Sequence, residues 1–186
     1  MDMEITPLEL RRLDFYRASE LHGGLLLGRL VRRARDPELM LDLTRHAAEE
    51  VAHAQLWTET ILAVGGRPRP PGDTYQARYA RALGPVTSLF EVLALTQVFE
   101  RRVYQHFIDH ARLTETHARV RATLLRMVEE EKDHLAWVKR WLDREEARGR
   151  PVRRTLRRFG RVDAVVYDEL IREYRFPRSA RRAATG

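Results

Sequence analysis

Two short stretches of this chain could do the same chemistry. Glu-Glu-Val-Ala-His runs from Glu49 to His53, and Glu-Glu-Lys-Asp-His runs from Glu130 to His134. Each contains a Glu-x-x-His pair, Glu50 with His53 and Glu131 with His134. Residues three apart share one face of a helix. Each pair therefore aims a carboxylate and an imidazole in the same direction, a mixed donor set that suits iron or manganese. One such pair arises easily by chance; two call for partners elsewhere in the chain.

The elements that would position them are helices. Thr6-Pro7-Leu8-Glu9 reads as a helix start, with a Thr cap, Pro at the first position and Glu at the third. The helix that follows carries Leu13, Tyr16, Glu20, Gly24, Leu27 and Val31 on one stripe, all apolar or small apart from Tyr16 and Glu20. Asp36-Pro37 opens a second helix, whose stripe of Leu39, Leu43, His46, Glu50, His53, Trp57 and Ile61 ends at Gly65-Gly66. Residues 65–88 are rich in Pro and Gly and form a long connection, with Tyr75 to Leu83 as a short helix inside it. A connection of that length can carry the chain back to the other end of a bundle.

Ser88-Leu89-Phe90-Glu91 is a second capping box, opening a helix with Leu89, Leu93, Gln97, Glu100, Tyr104 and Phe107 on one face. The fourth long helix is expected from about Thr114–Thr116 to Gly149. It carries Val120, Leu124, Met127, Glu131, His134, Val138 and Trp141. Beyond Pro151, the positions of Val162, Val166, Leu170 and Tyr174 predict a short amphipathic C-terminal helix, and the Arg-rich stretch after Pro177 is expected to be disordered. The spacing also repeats: 30 residues separate Glu20 from Glu50 and 31 separate Glu100 from Glu131.

Every long helix thus has a carboxylate in the middle of an apolar stripe, and two add a His three residues later. The set is Glu20, Glu50, His53, Glu100, Glu131 and His134. Burying one unpaired carboxylate costs several kcal/mol. A bundle tolerates four only if they are protonated or have cations among them. Two divalent ions would balance four glutamates with both imidazoles neutral, so the charge count favours a pair of metals. Each residue alone reads more simply as part of a solvated or packed helix; their joint placement reverses that.

These residues resemble the ferritin-like di-iron carboxylate superfamily, in which two helices each give one Glu and two give Glu-x-x-His. The resemblance covers about residues 7–148. It implies an all-α, ferritin-like four-helix bundle with a long crossover between the second and third long helices. It implies two iron ions, or manganese or an Fe/Mn pair, with Glu20 and Glu100 terminal, Glu50 and Glu131 bridging, and His53 and His134 capping one metal each. It implies an oxidoreductase that uses O2 or peroxide, an external electron donor and a small or lipophilic organic substrate. Iron oxidation or peroxide scavenging is the alternative, and an interaction module with merely structural glutamates is the non-enzymatic one. A rubrerythrin would add a Cys-rich domain and a further glutamate where Gln97 and Val103 stand, and bacterioferritin would have its haem Met where Val51 stands. The long crossover looks more like the oxygen-activating members, among them the tRNA hydroxylases.

Other residues are read beside these. His46, one turn before Glu50, could support the site from behind. Tyr16 and Tyr104, one turn from Glu20 and Glu100, could hydrogen-bond a ligand, although plain core tyrosines are the simpler reading. Gly23 and Gly24 could leave space beside the metals or serve close helix packing.

The bulk properties set limits. The chain has 186 residues and is 44% apolar, which suits one globular unit; the reading divides it into the bundle, residues 1–148, and an Arg-rich extension, residues 149–186. There is no cysteine, which excludes thiolate metal sites and thiol catalysis. The formal charge of +7 belongs to the end of the chain, where residues 148–186 hold 12 Arg and 4 acids. Those arginines lack interleaved aromatics over most of their length, so nucleic acid finds little support as a partner. A homodimer is compatible with the pattern. No apolar run approaches the roughly 18 residues of a membrane span, and the first residues lack a signal peptide's basic and apolar regions, so a cytoplasmic protein is expected.

Overall fold

The computed structural model describes residues 4–70, 72–84, 86 and 88–176. Among them all regular structure is helical: α1 (Pro7–Val31), α2 (Pro37–Ala63), α3 (Tyr75–Leu83), α4 (Leu89–Ala111), α5 (Ala118–Ala147) and α6 (Val152–Tyr174). The four long helices read from the sequence are α1, α2, α4 and α5. Their starts follow the expected capping chemistry. Thr6 Oγ1 accepts from Glu9 N at 3.1 Å, Asp36 from Glu38 N at 2.9 Å, and Ser88 from Glu91 N at 3.1 Å. Such caps contribute about 1 kcal/mol each. α5 begins slightly later than expected, with His117 as its cap.

α1 packs along α2, α4 along α5, and α2 against α5. Two apolar clusters make the core. One holds Leu13, Tyr16, Trp57, Ile61, Phe107, Leu124 and Met127; the other holds Leu27, Leu43, Leu93, Val138 and Leu142. Along α1 and α5 the chain passes from the first cluster to the second, and along α2 and α4 it passes back. Each hairpin is therefore antiparallel, and the crossover between α2 and α4 carries the chain from the first-cluster end to the other. Gly65, at φ 79°, ends α2 in a backbone conformation open to glycine.

The crossover is tied down along α1. Asp14 accepts from Arg69 N at 3.1 Å, Gln76 Nε2 donates to Ser19 O at 2.9 Å, and Thr74 Oγ1 meets His22 Nδ1 at 2.8 Å. α3 is held further by Asp163 of α6, which accepts from the hydroxyls of Tyr75 at 2.6 Å and Tyr79 at 2.5 Å. Arg102 of α4 closes on the other oxygen of the same carboxylate at 2.5 and 2.9 Å.

The C-terminal helix is longer than expected: 23 residues rather than a short segment beginning near Val162. Val152, Thr155 and Phe159 extend its buried face, while the arginines between them point outward and mask the stripe in the sequence. α6 packs against α3 and α4, and its Val166, Leu170 and Tyr174 belong to the first cluster. The stretch after Pro177, expected to be disordered, lies outside the described residues. No helix among the described residues is long and apolar enough to cross a membrane.

Candidate metal centre

Between the two apolar clusters lies a belt of buried Glu and His. Glu20 of α1, Glu50 and His53 of α2, Glu100 of α4, and Glu131 and His134 of α5 are each at most 4% exposed. All six expected residues are brought together. Their ligand atoms form two groups, each with all atoms within 4.8 Å of one another: Glu20, Glu50, His53 and Glu131 in one, and His46, Glu50, Glu100 and His134 in the other. Glu50 belongs to both.

The imidazoles are held in a reciprocal manner. His53 of α2 places Nε2 2.8 Å from Glu130 Oε2 of α5, and His134 of α5 places Nε2 3.0 Å from Glu49 Oε2 of α2. The residue before the inner glutamate of each copy thus orients the other copy's imidazole. With Nε2 of each ring turned to these carboxylates, Nδ1 is the nitrogen that faces inward. His134 Nδ1 lies 3.0 Å from Glu131 Oε2 and 3.4 Å from Glu50 Oε1. His53 Nδ1 faces Glu131 Oε1 at 3.6 Å, and neither atom has a hydrogen-bond partner.

Electrostatics mark the belt as a place short of positive charge. Burial first, and then the Glu131 charge, lift Glu20 from 4.5 to about 7. Burial and the neighbouring carboxylates Glu20, Glu100 and Glu131 hold Glu50 well above its ordinary value. Burial also raises Glu100 and Glu131. Burial alone would lower His134, yet the hydrogen bond and charge of Glu131 carry it up to about 10. Four buried carboxyls whose ionisation burial opposes, with His53 Nδ1 and Glu131 Oε1 unpartnered among them, are a donor set that divalent ions would fit.

The flanking residues divide. His46 belongs to the belt, with Nε2 3.0 Å from Glu50 Oε1 and 3.5 Å from Glu100 Oε1. Tyr16 does not. Its hydroxyl is bound by His106 Nε2 at 2.6 Å and His110 Nδ1 at 2.9 Å, in a chain that continues from His110 to Glu9. Tyr104 is half-buried at the edge of the first apolar cluster. The two glycines also separate. A Cβ on Gly24 would meet Val51 Cγ2 at 2.8 Å and Ala47 O at 3.0 Å, so Gly24 serves the close approach of α1 and α2. A Cβ on Gly23 would meet Glu50 Oε2 at 2.9 Å, so Gly23 leaves room beside the belt.

Two openings reach the belt from different sides. An apolar cavity of about 420 Å³ lies under α3, walled by Leu26, Leu27, Tyr79, Leu95 and Phe99, with Glu50 and Glu100 among its lining residues. A polar cleft of about 260 Å³ between α2 and α5 is lined by Asp42, Arg45, Glu49, Asp133 and Arg140 and reaches His46 and His134. Sequence reasoning missed Glu49, Glu130 and Asp163. The doubled Glu-Glu of both copies was the available signal for the first two; nothing local marked the third. No protein-family model, curated protein or solved structure matches the chain.

Proposed function

We propose that this chain is a ferritin-like di-iron carboxylate oxidoreductase that oxidises an apolar organic substrate with dioxygen or peroxide. The ferritin-like plan is supported by two antiparallel hairpins, α1/α2 and α4/α5, joined by a long crossover. The metal set is supported by the convergence of six buried Glu and His side chains. The observation that carries the choice of reaction is the cavity of about 420 Å³, whose apolar walls end at Glu50 and Glu100. Its volume falls within the roughly 300–1,000 Å³ range of small-ligand pockets.

Glu20, Glu50, Glu100, Glu131, His53 and His134 would hold the two ions. Iron bound there supplies Lewis acidity and the electrons for reducing oxygen or peroxide. The remaining work belongs to the chain. Glu49 and Glu130 orient the two imidazoles through Nε2. Tyr79 and Leu83 line the cavity on the side of α3. Gly23 keeps the space beside Glu50 open. Glu20, raised to about 7 by burial and the Glu131 charge, can take up or release a proton when the charge of the site changes.

Iron or peroxide handling is the second reading, favoured by the cleft in which Asp42, Glu49 and Asp133 give ions a polar route to His134. The test compares wild type with Leu26→Trp, which fills the cavity without touching the belt. Wild type should bind two iron ions per chain. With a reductant and air it should convert apolar molecules sized to the cavity, with products read by mass spectrometry. Leu26→Trp should keep both ions and lose conversion. A protein that binds no metal refutes the proposal. Two ions with rapid iron oxidation, no organic product and no effect of the tryptophan establish the second reading instead.

A further inference from the structure

His46 is the one buried imidazole of the belt that the Glu-x-x-His repeat does not supply. It lies one turn before Glu50 on α2 and is 1% exposed. Its Nε2 is aimed between two carboxylates of different hairpins, 3.0 Å from Glu50 Oε1 and 3.5 Å from Glu100 Oε1. Its ring lies 3.7 Å from that of His134, centroid to centroid. A side chain that only braced Glu50 would need one contact. His46 instead points its nitrogen into the gap that Glu50, Glu100 and His134 already surround, and these four donor atoms lie within 4.8 Å of one another. No counterpart exists on the other side. The position on α5 that matches His46, four residues before Glu131, is Met127, which packs in the first apolar cluster.

We propose that His46 is a seventh metal ligand and that the two metal positions are chemically unequal. One position takes Glu20, Glu50, His53 and Glu131, with one nitrogen and three carboxylates. The other takes His46, Glu50, Glu100 and His134, with two nitrogens and two carboxylates. Imidazole favours iron, cobalt and zinc, whereas carboxylate-rich sets suit manganese. The nitrogen-richer position is therefore the tighter site for the later metals, and the other is the position manganese can hold. The inference rests on the di-metal reading above.

The experiment titrates metal-free protein with Co(II) under argon and records stoichiometry, stepwise affinity and visible ligand-field absorption. It uses wild type, His46→Ala and His46→Gln, the last keeping bulk and a donor toward Glu50. Wild type should bind two ions in two separable steps. Both variants should lose at least tenfold in the tighter step, with a changed spectrum for that ion and an unchanged weaker step. On wild type, a crystal soaked with equal Fe(II) and Mn(II) should place iron beside His46 and His134 by anomalous scattering at the two edges. Wild type that binds no metal overturns the di-metal reading and this inference together. Two ions bound with the same affinities and spectra in His46→Gln as in wild type overturn this inference alone. So do iron and manganese spread evenly over the two positions, a measurement that stands even where the variants fail to fold.

Discussion

Removing the metals should make the protein lose stability as pH rises from 6.5 to 8, and returning them should abolish that loss. The reason is the sign of the shifts in the belt. Glu20 is raised to about 7, and Glu50 is held well above its ordinary value, in both cases by burial first and neighbouring carboxylates next. His134 is carried up to about 10 by Glu131 against the effect of burial. A group raised in the folded state contributes stability below its unfolded value and loses it as pH climbs through its folded value. Groups of the opposite sign offset part of this loss. Glu9 and Glu130 are lowered and ionised in both states. His22, His46 and His106, lowered chiefly by burial, each add at most about 0.4 kcal/mol as the unfolded imidazoles finish deprotonating between about pH 6.5 and 7.5. Over this window linkage assigns Glu20 a loss of about 1 kcal/mol, and Glu50 and His134 act in the same direction. A net loss of about 1 kcal/mol corresponds to a fall of roughly 2–4 °C in Tm for a chain of this length. Calorimetry of chelated protein against protein loaded with two equivalents of Mn(II), at fixed ionic strength, reads the difference. In the loaded protein the glutamates are ionised throughout, and the fall should vanish. A metal-free Tm that stays level or rises between pH 6.5 and 8 would mean that the carboxylates are already ionised without a cation, and the charge argument for two ions would be lost.

Glu49→Ala and Glu130→Ala, which release His134 and His53 from their orienting carboxylates, should each weaken metal binding roughly 10- to 100-fold, with helical content unchanged by circular dichroism. Asp163→Asn removes the charge that opposes Arg102 and ties down both α3 tyrosines. It should cost on the order of 3 kcal/mol in urea unfolding and speed amide exchange in α3 more than in α2; equal exchange in the two helices would contradict the role given to it. Gly23→Ala should weaken metal binding through Glu50 with little change in Tm, whereas Gly24→Ala should lower Tm by separating α1 from α2 and leave the metal stoichiometry intact. The opposite pattern would reverse the roles assigned to the two glycines.

The belt was legible because buried charge is rare on an apolar stripe. Glu20 lies between Tyr16 and Leu27, and Glu131 between Met127 and Val138, so period and polarity together exposed them. Residues that act across helices were not legible. Glu49 and Glu130 are partly exposed and follow the solvent side of their own helices; only the packing of α2 on α5 turns each toward the other's histidine. Asp163 stands in a helix whose visible pattern is arginine, and its three donors come from α3 and α4. Tyr16 failed as a metal-side residue for a related reason: its hydroxyl points away from Glu20 to His106 and His110 on α4, partners that lie 90 or more positions away.

The two openings bear on what such a belt is for. Ions and protons need only a polar path, and the cleft beside His46 and His134 provides one with Asp42, Glu49 and Asp133 at hand. An apolar void of several hundred Å³ is a different matter. Apolar walls left uncovered lose the burial that closing them would give, and a bundle that handled only iron would gain by letting Leu26, Leu95 and Phe99 close on one another. Instead α3 is held above the void by a carboxylate on α6, through two tyrosine hydroxyls and an arginine from α4. Spending a buried Asp, an Arg and two Tyr to keep a roof over an apolar space makes physical sense if the space has an occupant, and the side of that space that meets Glu50 and Glu100 is where an occupant would react.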